Sequence, residues 1–449
     1  MLGSRGLILG IVIGLAGGML PGASQGADDA WPQFRGPDGQ GRAPVGKIPA
    51  RWSETENVRW KTAIPGKGWS SPVIENGVCW LTTAVIKEAT AKQKQQVLRD
   101  KLANSPLANE MEIIDSVALR AVAVDLKSGK LLHDVLLFQY RDPEPVHSLN
   151  SYASPTPVLK EGRLYCHFGN MGTACVDTQQ AQVLWKTRLA TEHSVGPGSS
   201  PVLYDKLLII PCDGTEAQSV VALDASNGEP VWKTKRPPMT GSMGDFHKAF
   251  STPLIIQEET GDQVVVPGAQ WVVSYNPHTG EPLWQVRHGE GFSNAPCPVY
   301  SQGTVFICTG YMTPELLAIR IDGHGDVTDT HVTWRLKKQV PAMPSPVLVD
   351  RVVYIVSDQG VVTCADAASG EVRFQKRVGG NYSASPLVAD SKLLFANRDG
   401  EVTVVQASAT WQELGKNRVD GELMSSPAVW NDSLILRTGT HLYRISERR

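Results

Sequence analysis

A short motif, a small residue followed by proline and an apolar residue, returns eight times along this chain, from Ser71-Pro72-Val73 through Cys297-Pro298-Val299 to Ser426-Pro427-Ala428. Its prolines are 72, 157, 201, 253, 298, 346, 386 and 427, so successive copies are 85, 44, 52, 45, 48, 40 and 41 residues apart. A period in the forties marks an array of similar supersecondary units. Each unit reads alike after the proline. A turn leads to a β-branched and aromatic run such as "RLYCHFG", "KLLIIP", "TVFICTG" or "VVYIVS". A third run follows, "VVALD" or "VVSYN", and closes in a turn from an Asx residue to a glycine: Asp125 to Gly129, Asp224 to Gly228, Asn276 to Gly280, Asp366 to Gly370. Four residues beyond that glycine stands a large side chain, Trp232, Trp284 or Phe374. These are four short strands joined by tight turns, with Asx and Gly supplying the turn conformations. One such sheet cannot bury both faces alone, so the copies must stack around an axis. The pattern predicts an all-β, eight-bladed β-propeller of four-stranded antiparallel blades.

The last copy has "SPAVW", "SLILRT" and "HLYRI" but no fourth strand carrying a tryptophan. The missing piece is expected near the N-terminus, where Val58 to Ala63, with Trp60, would serve as the outer strand of blade eight. A ring closed by an N-terminal strand hides the edges that an open array would leave. Several copies depart from the pattern. Blade two has Ala181 in place of the glycine, and blade one has His133 where tryptophan is expected. Blade five expands its turn before Trp334, and blade seven, "VVQASATWQEL", has lost both Asp and Gly. Between Leu81 and Ala121 blade one carries about forty extra residues, including "VIKEATAKQKQQVLRDKLAN". Their Glu, Lys, Gln and Ala content predicts a helical insertion over roughly 85–116, with a solvated face.

Residues 1–27 have a signal-peptide layout: Arg5, an apolar stretch from Leu7 to Leu20, then small residues before Ala27. The expected product is an exported, periplasmic chain in which 28–449 form a single propeller without an integral membrane span. A net charge of −2 provides no electrostatic footprint for nucleic acid. The seven cysteines show no C-x-x-C and no zinc spacing. Cys166 and Cys175 lie symmetrically about "GNMG", and Cys297 and Cys308 about "SQGT". Each pair would face across two strands, a placement that strains disulfide geometry, so buried free thiols are expected.

The segment "ALDASNGEPVW" at 222–232 resembles the tryptophan-docking motif of PQQ-type propeller repeats, shared by quinoprotein alcohol dehydrogenases and by outer-membrane assembly propellers of the BamB type. The stretches "WPQFRGPDGQG" and "VRWKTAIPGKGWSSPV" are similar to a group of exported PQQ-like repeat proteins. The resemblance implies that the proline-motif strand lies nearest the axis, so the residues just ahead of it line a channel mouth. Those residues include Trp69, His147, Asn150, Tyr152, His193, His247, Lys248, Asn294 and Tyr382, with Phe250, Phe292, Met343 and Met424 beside them. Aromatic and amide groups on loops suit an envelope protein or a small polar ligand such as a sugar or peptide.

Two functions follow from the resemblance. One is a non-catalytic binding or assembly scaffold. The alternative is a PQQ- and calcium-dependent dehydrogenase acting on alcohols or sugars. The dehydrogenases' adjacent cysteine pair is missing, and Asp245 and Glu192 are the only oxygen donors the mouth offers to a calcium ion. The scaffold, with neither cofactor nor metal, is the expected reading. The sequence sets no oligomeric state.

Overall fold

A computed structural model describes residues 30–447 except 45, 242 and 243. The proposed signal peptide lies outside the described residues. Eight antiparallel sheets follow one another around a central axis, seven of four strands and one of five. Blade three shows the plan: Val202–Tyr204 lies innermost, then Leu207–Asp213, Gln218–Asp224 and Pro230–Lys235 outermost. Blade four gains a fifth strand, Gly325–Asp326, running parallel to Pro282–Arg287. In blade eight the outermost position is taken by Val58–Ala63, antiparallel to His441–Ile445 with Lys61 opposite Tyr443. Every blade has a register shift between its third and outer strands, for instance between Ala222 and Leu223, and blade one has two. Such bulges increase the local twist and turn the outer strand toward its neighbour.

That turn serves the tryptophans. The indole N–H of Trp60 donates to Leu126 O (3.0 Å), Trp185 to Ala225 O (3.0 Å), Trp232 to Pro277 O (3.1 Å) and Trp334 to Ala367 O (3.1 Å). Each acceptor belongs to the Asx–Gly turn of the next blade. The glycine of that turn lies flat against the ring: a Cβ on Gly129 would sit 2.7 Å from Trp60, and one on Gly228 2.5 Å from Trp185. The docking motif therefore couples neighbours, with one blade supplying the tryptophan and the next the glycine. The departures become intelligible in pairs. Blade one has His133, stacked on its own Trp80 at 5.9 Å, and blade two accordingly has Ala181 where the receiving glycine would be. Blade six has Phe374, which meets Trp411 of blade seven edge-on at 5.8 Å. Trp284 faces the expanded turn of blade five and donates instead to Gln263 Oε1 of its own blade (2.8 Å).

The residue before each proline also has a reason. Its backbone N–H donates to the side-chain oxygen of its counterpart in the next blade. The donor–acceptor pairs are Ser71–Thr156 (2.9 Å), Thr156–Ser200 (2.9 Å), Ser200–Thr252 (3.1 Å), Cys297–Ser345 (2.9 Å), Ser345–Ser385 (3.0 Å), Ser385–Ser426 (2.9 Å) and Ser426–Ser71 (3.0 Å). The belt around the channel is broken once, at Thr252, where the next blade has Cys297. That thiol points its weak donor at Gly39 O instead (3.8 Å). Cys297→Ser is expected to supply the missing acceptor and stabilise by about 1 kcal/mol, the usual net value of one hydrogen bond. Ser345→Ala, which strands the buried Cys297 N–H, is expected to destabilise by about 1–3 kcal/mol. Paired thermal melts measure both, and a lower melting temperature for Cys297→Ser would contradict the belt.

All seven cysteines are free and buried. The expected face-to-face placement of Cys166 and Cys175 is corrected by the register: Cys166 lies opposite Ala174, and Cys175 opposite Tyr165. Successive strand positions alternate faces, so the two thiols enter different cores. In blade one the insertion is less helical than its composition implies. The blade's own strands lengthen to Val78–Glu88 and Ile114–Asp125, and the helix is confined to Ala91–Asp100, with a Thr90 capping box and no buried residue. Among the described residues no helix is long and apolar enough to cross a membrane.

Candidate functional site

The inner strands all begin at one end of the channel, and the loops ahead of them bond to one another around that rim. Trp69 N–H reaches Ala153 O (3.1 Å), His147 N–H reaches Val195 O (3.2 Å), Phe250 N–H reaches Asn294 O (2.8 Å) and Tyr382 N–H reaches Asp358 O (2.9 Å). The nine residues singled out from the sequence thus belong to one rim, but they divide by exposure. Trp69, Tyr152, Lys248, Asn294 and Tyr382 are buried, while His147, Asn150, His193 and His247 are half-buried. Tyr152 donates its hydroxyl to Glu144 O (2.9 Å). Asn150 fixes its own loop, donating to Val195 O (2.9 Å) and accepting from Ser154 Oγ (2.5 Å). Lys67 Nζ lies 5.1 Å above the Trp69 ring.

The three histidines occupy separate surroundings. His147 Nε2 is 2.8 Å from Glu110 Oε2, because the blade-one insertion returns over the rim and pairs Met111–Glu112 with Val146–His147. His247 Nε2 lies 3.2 Å from Thr240 O. His193 sits beside Phe250 at 6.1 Å, and burial, aided by the charge of Lys248, pulls its pKa down to about 4. Among the described residues no three His, Cys, Asp or Glu side chains are grouped to hold a metal.

The most polar cluster joins blades two, three and four. Lys248 Nζ is 2.6 Å from Ser194 Oγ and 2.8 Å from Asp245 Oδ1, and Ser194 Oγ donates to the same Oδ1 at 2.6 Å. Burial pushes the Asp245 carboxyl up, but the bonds from Lys248 and Ser194 outweigh it and hold the group below the usual range. The trio is an ion pair clamping two loops.

Sequence reasoning missed Ser194, Asp358 and Arg398. Asp358 accepts from the N–H groups of Ala342 (2.8 Å) and Met343 (3.0 Å), and Arg398 Nε donates to Ser383 Oγ (2.8 Å). The signal for the last two was present in the turns "SDQG" and "NRDG", which occupy equivalent places in blades six and seven. Trp69 Nε1, His193 Nδ1, Asn294 Oδ1, Tyr382 Oη and Ser425 Oγ are among the buried polar atoms at the rim without a partner.

The fold and rim define an eight-bladed propeller with inter-blade tryptophan docking and a polar channel mouth. The chain belongs to the family described as outer membrane protein assembly factor BamB, whose family model matches residues 45–234 and 323–446. An outer membrane protein assembly factor BamB from Yersinia pestis is 24% identical over 204 residues, which are 41% of this chain and 49% of that protein. The chain therefore spans about half the length of that curated relative. Among solved structures, BamB from Moraxella catarrhalis superposes with a TM-score of 0.52 at 13% identity, over 75% of this chain and 99% of that one. Quinohemoprotein alcohol dehydrogenase from Comamonas testosteroni superposes with a TM-score of 0.64 at 10% identity, over 94% of this chain and 81% of that one. A europium-containing methanol dehydrogenase gives a TM-score of 0.63 at 10% identity, over 92% and 90%. At such identities the likeness is one of fold.

Proposed function

We propose that this chain is an exported, non-catalytic propeller that acts as a binding or assembly scaffold in the cell envelope, presenting the channel mouth to a protein or small polar partner. The carrying observation is the Lys248–Asp245 contact at 2.8 Å. Asp245 is the carboxylate on which a PQQ- and calcium-dependent dehydrogenase would have to rely, and here it is already neutralised by an ammonium. Calcium takes six to eight oxygen ligands, and several hard donors would be needed beside Asp245 and Glu192. The family description supports the assembly role, and the unpartnered polar atoms of Trp69, His193, Asn294 and Tyr382 support a mouth that receives polar groups.

The test is to incubate the purified protein with PQQ and calcium and measure dye-linked oxidation of alcohols and sugars. No turnover above background is expected. Turnover that Asp245→Ala abolishes would overturn the scaffold reading in favour of the dehydrogenase. For the positive arm, envelope extracts are passed over immobilised protein. Partners held by the unmodified protein are expected to be lost with Glu192→Arg or His247→Glu, at an unchanged melting temperature. Identical retention by both variants would move the contact surface away from the mouth.

A further inference from the structure

The opposite end of the channel is closed unevenly. Residues 31–43 cross it and bond to the inner strands from inside the ring. Trp31 and Ile74 exchange two backbone bonds (2.9 and 2.7 Å), Leu159 N–H donates to Pro32 O (2.7 Å), Tyr300 N–H to Gln40 Oε1 (2.7 Å) and Val388 N–H to Gly41 O (2.8 Å). Each of these donors is the middle residue of a three-residue inner strand, whose peptide group points away from the second strand and into the channel.

In blades three and four the equivalent residues are Leu203 and Ile255, opposite Leu208 and Val264 in the register. Residues 31–43 bond to neither of them, nor to Leu348 and Val429 of blades six and eight, but Leu348 and Val429 are buried whereas Leu203 and Ile255 are only half-buried. A cavity of about 500 Å³ lies there, lined by Leu203 and Ile255 together with Phe34, Gln40, Thr252 and Cys297. Its size falls within the usual range of ligand sites, roughly 300–1,000 Å³. It also abuts the one break in the hydroxyl belt, between Thr252 and Cys297.

We propose that this cavity binds a short extended peptide, which adds as a strand to the open inner edges of blades three and four. The occupant's chemistry can be read from the rest of the ring. Peptide or amide oxygens of residues 31–43 already cap four of the inner-strand N–H groups. Trp31 and Pro32, two consecutive residues, bond to two consecutive blades, one and two. Two consecutive peptide carbonyls can span Leu203 and Ile255 in the same manner. Direction is no obstacle, because the bridge to blade one is antiparallel and the bridge to blade seven is parallel. Main-chain bonds supply the affinity in strand addition, and flanking side chains supply selectivity. This site is independent of the mouth, and either can fail without the other.

The probes are acetyl-Trp-Pro-Gln-Phe-amide, a copy of residues 31–34, and a library of N-acetylated tetrapeptide amides. Binding is followed by calorimetry and by hydrogen exchange of the full chain. The expected result is a binding peptide that slows exchange of the Leu203 and Ile255 amides. Leu203→Pro and Ile255→Pro each delete one of these N–H groups at a strand edge, where proline is tolerated. Either variant is expected to weaken binding about tenfold, the equivalent of one hydrogen bond. Failure of every peptide to bind, protection confined to the mouth loops, or equal affinity in folded proline variants overturns the proposal. Should a proline variant misfold, the exchange pattern in the unmodified protein decides alone.

Discussion

Deletion of residues 28–63 is expected to leave a protein that no longer melts cooperatively. The deleted stretch contains the outer strand of blade eight, Val58–Ala63, and with it the Trp60 indole that docks onto Leu126 and Gly129 of blade one. It also contains Trp31, Ile48 and Trp52, all buried in one core cluster with residues of blades one, seven and eight. Removal of a buried Trp or Ile side chain costs about 2–5 kcal/mol, so these three together approach 10 kcal/mol. Whole domains are stable by only about 5–15 kcal/mol. A deletion within the blade-one insertion, residues 91–107, is the control. The helix Ala91–Asp100 buries nothing, and its loss is expected to shift the melt by little. Calorimetry of the two deletions measures the contrast. An unchanged melt for the 28–63 deletion would show that the ring holds without its N-terminal strand and plug.

The second large effect is expected at a docking glycine. Gly228 has φ +77°, and an added Cβ would lie 2.5 Å from Trp185 Cε3. Gly228→Ala therefore meets a left-handed backbone penalty of about 1–2 kcal/mol and must also displace a buried indole. The combined cost is expected to be about 3 kcal/mol or more, since the displaced ring gives up packing as well as its bond to Ala225 O. Ala181→Gly in blade two is the converse. Ala181 has φ +53° and receives no tryptophan, so glycine is expected to stabilise slightly by removing the same penalty. Denaturant titration with near-ultraviolet circular dichroism reports both stability and the indole environment. A Gly228→Ala protein as stable as the parent would show that the indole does not depend on this contact.

Much of the architecture was legible because its determinants are local. Asp224 Oδ1 accepts from Ser226 N–H at 2.7 Å within its own turn, and such turns recur wherever the repeat keeps Asp and Gly. Blade count and strand order follow from counting these turns and the prolines between them. The rim was legible as a set of positions, since residues ahead of each inner strand must meet at one end. Their individual states were not. Lys248 and Asn294 are buried while His247 is half-buried, although all three precede a proline motif, because exposure depends on which neighbouring loop bends over each one.

An eightfold ring of four-stranded blades could be read from the chain alone, since periodicity and turn chemistry act over a few residues and need no knowledge of distant partners. The three-dimensional arrangement was needed to see that Trp60, Trp185, Trp232 and Trp334 each dock on the following blade's glycine, and that the pre-proline hydroxyls form a belt broken at Cys297. It alone showed the N-terminal segment bonding to the inner edges of blades one, two, five and seven and leaving a cavity at those of three and four. The reason is physical: these contacts join groups from forty to more than three hundred residues apart, such as Ser71 and Ser426, and only closure of the ring brings them within bonding distance.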